Sequence, residues 1–63
     1  MHTIETLTEY LTDRGLINGS VMSKWPEIQA HFSNSVLEGN EIVIRSEGLK
    51  IVNGVGVLIV TEL

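Results

Sequence analysis

Three β-branched runs in the second half constrain this chain most: Glu41-Ile-Val-Ile-Arg-Ser46, Leu49-Lys-Ile-Val52 and Val55-Gly-Val-Leu-Ile-Val-Thr61. Glu47-Gly48 and Asn53-Gly54 separate them. A glycine-ended dipeptide between such runs is a hairpin signal, because tight hairpin turns need left-handed backbone that glycine adopts without steric cost. The runs predict an antiparallel meander.

Two-residue turns at both dipeptides pair Ser46 with Leu49, Ile44 with Ile51, Val52 with Val55 and Leu49 with Leu58. That register collects Ile42, Ile44, Leu49, Ile51, Leu58 and Val60 on one face. The other face takes Val43, Arg45, Lys50, Val52, Val55, Val57 and Ile59. Asn53 and Gly54 are expected at positive φ in a type I′ turn. The third run is then apolar on both faces, and one layer of helices covers only one of them.

The first half reads as two helices. Thr3 caps the first, Ile4, Leu7 and Leu11 repeat at helical spacing, and Gly15 supplies a left-handed stop with Leu16 folding back. Helix 1 spans about Thr3 to Arg14. Asn18-Gly19-Ser20 marks a turn. Pro26 belongs in a first helical turn, where its missing N–H is harmless. Ser23 as cap then gives a second helix from about Lys24 to Asn34, with Trp25, Ile28 and Phe32 on one face. Val21 and Met22 form a short extra turn before it.

Helix, helix, strand, strand, strand predicts a single α+β domain over residues 1–63, with two N-terminal helices packed on one face of a three-stranded antiparallel β-meander. The expected core is Ile4, Leu7, Leu11, Trp25, Ile28, Phe32, Ile44, Ile51 and Leu58.

A chain of 63 residues lies near the lower limit for folding alone. It has no cysteine, which removes disulfides and thiolate metal sites as staples. Association remains. The formal net charge is -4, with eight carboxylates against four Lys and Arg. Acidity disfavours non-specific nucleic-acid binding, which rests on phosphate neutralisation. The start, Met1-His2-Thr3-Ile4-Glu5, shows no basic stretch followed by an apolar run, and no apolar stretch approaches a membrane span. A soluble cytoplasmic protein is expected.

Residues that carry chemistry are scarce. His2 and His31 have no partner carboxylates at metal-site spacing, and His31 reads as a surface histidine on helix 2. Glu5, Glu9 and Asp13 recur along helix 1 as an acidic stripe, either a solvated face or a docking surface for a partner. The serines fall in turn and cap contexts, and Gly54-Val55-Gly56 has no following helix to make a phosphate loop. No catalytic residue, metal or cofactor is expected.

The composition is typical of small phage or plasmid accessory proteins, including inhibitors and antitoxin-like partners. The leading expectation is a non-enzymatic interaction protein. It forms a homodimer through Val43, Val52, Val55, Val57 and Ile59 or through the edge of the strand from Val55 to Thr61, and it modulates a macromolecular partner. The alternative is a small helix-turn-helix regulator reading DNA with Lys24, Gln29, Asn34, Arg45 and Lys50, a thin set of donors for that purpose.

Overall fold

The computed structural model describes residues 1–63. The order is α1 (Ile4–Asp13), α2 (Gly19–Ser23), α3 (Trp25–Ser33), β1 (Glu41–Ile44), β2 (Leu49–Asn53) and β3 (Leu58–Glu62), with short 3₁₀ turns at Ser35–Leu37 and Arg45–Glu47. The sheet is antiparallel with β2 in the centre. This is the α+β meander that the residue pattern predicts.

Helix α1 starts and stops as expected. The Thr3 hydroxyl accepts from the Thr6 N–H at 3.3 Å, and the Thr6 hydroxyl accepts from the Thr3 N–H at 2.8 Å, a capping box with threonine at its third position. At the other end Gly15 takes φ 69°. The Leu16 N–H reaches back to the Leu11 carbonyl at 2.8 Å and the Gly15 N–H to Thr12 at 3.1 Å. This pair of bonds is a Schellman motif.

The second helix begins where expected, as α3 after Lys24, and the extra turn at Val21 and Met22 is α2; the difference lies in the cap. Pro26 has no N–H with which to continue the α2 ladder. Ser23 is not a cap: its hydroxyl donates to the Ser20 carbonyl at 2.8 Å. Asn18 caps α2 instead, accepting from the Val21 N–H at 3.2 Å. That extra turn buries Val21 completely.

Both hairpin registers shift from expectation. Ile44 pairs with Leu49, not Ile51. The turn opens over Arg45–Glu47, and only Gly48 is left-handed, at φ 66°. A two-residue I′ turn would have forced Glu47 to positive φ as well, which costs a non-glycine residue energy. In the second hairpin Asn53 pairs with Leu58 and Leu49 with Glu62. Positive φ falls on Val55 (54°) and Gly56 (74°), not on Asn53 and Gly54. Val55 and Val57 therefore lie in the loop, and β3 begins at Leu58. Both shifts are by an even number of residues. Side chains alternate with period two, so the assignment of residues to faces survives.

One core joins the layers: Leu7, Leu11, Val21 and Ile28 from the helices meet Ile42, Ile44, Leu49, Ile51 and Leu58 from the sheet. Ile4, Trp25, Phe32 and Val60 pack against it half-buried. No helix is long and apolar enough to cross a membrane.

Candidate interaction surface

The core-facing side of the sheet is covered by helices, and the opposite side is not. On that open side Val43 is 36% exposed and Ile59 40% exposed, with Val52 half-buried between them. Val55, 44% exposed, and half-buried Val57 extend this apolar strip into the loop. Only two charged side chains belong to the strands here, Glu41 and Lys50, and they pair at 3.7 Å. The other seven carboxylates lie on helices, turns or, for Glu62, a core-side register position. The strands of the open side thus carry no carboxylate that lacks a cation partner.

The two sheet edges are treated differently. The His2 N–H donates to the Leu58 carbonyl at 2.7 Å, and the Leu58 N–H donates back to His2. Arg14 at the far end of α1 pairs with Glu62 at 3.0 Å and stacks on Tyr10, 4.5 Å from its ring centroid. Helix α1 is therefore tied to β3 at both ends, by His2 just before it and Arg14 just after it, and the His2 bridge guards the Leu58 end of the edge. The edge from Val55 to Thr61 is bridged at Leu58, while Val60 turns its backbone groups outward with no further partner. The β1 edge has no such cover. Asn53 exchanges backbone bonds with Asn40 and Gly39, so the alternation of an antiparallel ladder turns Ile42 and Ile44 toward β2 and leaves Glu41 and Val43 bonding outward.

The acidic stripe is real: Glu5, Glu9 and Asp13 are all exposed on α1, and none forms an ion pair. The residues suggested for nucleic acid lie on or beside different elements. Lys50 is on the open side and neutralised by Glu41, while Lys24 pairs with Glu27 at 3.8 Å. Gln29 is exposed on α3, and Asn34 caps the 3₁₀ turn after it through a 3.0 Å bond to the Val36 N–H. Arg45 is the one Lys or Arg without a carboxylate within 4.0 Å.

His31 is not on the surface. It is 8% exposed, and its Nδ1 is buried without a hydrogen-bond partner. No group of three His, Asp or Glu side chains converges as a metal set would require. A cleft of about 310 Å³ opens among Arg14, Leu16, Glu47, Gly48, Leu49, Glu62 and Leu63. Its Arg14 and Glu62 already satisfy one another, and it holds no nucleophile or imidazole.

Two features of this surface escape sequence reasoning. The His2 bridge depends on where a terminal segment lands, which no local pattern encodes. The left-handed Val55 contradicts β-branched preference, so propensity points away from it. Comparison with protein-family models, with curated proteins and with solved structures gave no match.

Proposed function

We propose that this chain is a non-enzymatic interaction protein, a homodimer that binds and modulates a macromolecular partner in the cytoplasm. The observation that carries the reading is the uncovered side of the sheet, with Val43, Val52 and Ile59 open to solvent and one edge unguarded. Monomers usually blunt such features with charge, proline or cover. Here self-association blunts them. Contact on this side brings the copies together where the strands carry no unpaired carboxylate and leaves Glu5, Glu9 and Asp13 available to a partner with a basic surface.

Sedimentation over a wide concentration range, paired with urea unfolding, tests this. A dimer at high micromolar concentration whose unfolding midpoint rises with concentration supports the reading, since association linked to folding must move the midpoint. A 7.0 kDa species with a fixed midpoint overturns it. Steeply salt-dependent DNA binding would favour the regulator reading instead.

A further inference from the structure

We infer that the β1 edge is the self-pairing element, and that a second copy adds to it in one register, antiparallel and centred on Val43. This rests on the homodimer reading and specifies its contact.

The backbone supports that register. Glu41 and Val43 turn their N–H and C=O groups outward, and none of these groups takes part in a bond beyond the β1–β2 ladder. Centring the two-fold axis on Val43 sets one Val43 against the other as a hydrogen-bonded pair, the geometry that outward-bonding residues need. Centring on Ile42 or Ile44 would oppose residues whose groups already serve β2. On β3 the outward groups of Leu58 are taken by His2 and the Glu62 side chain is tied to Arg14, which leaves Val60 as the one unencumbered outward position.

The side chains select the same register. Positions related about Val43 are 41 and 45, so Glu41 of each copy lies across from Arg45 of the other, the first residue past β1 where the 3₁₀ turn opens. Arg45 is the only Lys or Arg without a carboxylate partner in the monomer. Glu41 is half exposed and held by Lys50 at 3.7 Å, so it would sit between two cations, one from each copy. Unlike charges across an antiparallel pair favour it, and the long Arg45 side chain spans the offset at the strand end. The axis is perpendicular to the sheet, so both helix layers stay on one side and the two open faces merge on the other. A single four-residue edge buries much less than the roughly 800 Å² per partner of a standard interface. The dimer is accordingly weak, and the two charge pairs have a large share in it.

The test is charge reversal with cross-rescue, read by sedimentation. Glu41→Arg alone sets Arg against Arg at both ends, and Arg45→Glu alone sets Glu against Glu. Each should weaken self-association by about ten-fold or more. An equimolar mixture of the two variants opposes unlike charges at both ends and should restore a dimer of wild-type affinity. Circular dichroism of each variant checks the fold, and the mixture guards against misreading a folding defect, since misfolded chains would not rescue each other. A wild-type monomer overturns the dimer reading itself. A wild-type dimer indifferent to both reversals, or a mixture without rescue, overturns the β1 register alone. Loss of that dimer in Ile59→Lys would then assign the contact to the open face.

Discussion

Asn53 and Val55 are bound to each other across the tip of the second hairpin: the Asn53 side-chain oxygen accepts the Val55 N–H at 2.9 Å, while Val55 is held at φ 54°. A left-handed β-branched residue is strained, because its Cβ crowds the neighbouring backbone. The strain persists because Asn53 is anchored elsewhere. Its amide nitrogen donates to the Asn34 carbonyl at 3.0 Å, its backbone bonds Asn40 and Gly39, and only 2% of it is exposed.

Val55→Asn should therefore stabilise the protein. Asparagine tolerates the left-handed region, and followed by glycine it is the preferred pair for a turn with two positive φ angles. A gain of ~1 kcal/mol in urea unfolding at low protein concentration is expected. A loss of stability would show that the Val55 side chain contributes more by packing than its backbone costs.

Asn53→Ala should cost ~1–3 kcal/mol, because it removes a buried amide that bonds both the Asn34 carbonyl and the Val55 N–H. Hydrogen exchange should show the loosening at the loop tip and around Asn34 together. Loosening at the tip alone would mean that Asn53 does not tie the helical segment to the sheet.

Gly54 is constrained by space and not by backbone angle. A Cβ at this position would lie 2.9 Å from Val57 Cγ2 and 3.6 Å from Ile59 Cδ1. Gly54→Ala is expected to destabilise by ~1 kcal/mol through overpacking. The double variant Gly54→Ala/Val57→Ala should recover part of that loss relative to Val57→Ala alone, a coupling that a double-mutant cycle measures directly. Additive effects would refute the contact.

The difference between the two glycine turns explains how far the sequence could be read. Alternation fixes which face each strand residue takes, and any register shift by an even number preserves it. Ile42, Ile44, Leu49, Ile51 and Leu58 were thus assignable to the core without knowing their partners. Register itself depends on which residues absorb positive φ. Asn53-Gly54 is the better local signal, yet the buried bonds of Asn53 outweigh it and push the turn to Val55-Gly56. Helix α1 was legible because Thr3, the apolar spacing and Gly15 agree. The junction at Lys24 was legible because Pro26 must sit in a first helical turn; the cap was not, since Asn18 and not Ser23 bonds a free N–H group. The open side of the sheet followed from strand alternation. The unequal protection of its edges did not, because it depends on His2 and Arg14 meeting β3 across the whole chain.

Leu11 is fully buried at the junction of α1 and the sheet. Leu11→Ala should cost ~2–5 kcal/mol, the transfer loss plus the cavity left behind. Val36, 87% exposed, provides the control: Val36→Ala should change stability by less than ~0.5 kcal/mol. Comparable losses at both positions would contradict the packing of α1.

His31 sets a polar ring against a small apolar core. Its Nδ1 is buried with no partner, and a buried polar atom left unpaired carries a desolvation cost of ~1–3 kcal/mol. Leucine matches the site in size, removes the unpaired nitrogen and raises helix propensity. His31→Leu is therefore expected to stabilise the fold by ~1 kcal/mol, measured at fixed low concentration so that dimerisation does not enter. A decrease of that size would show that the imidazole makes a polar contact in solution that the leucine cannot replace.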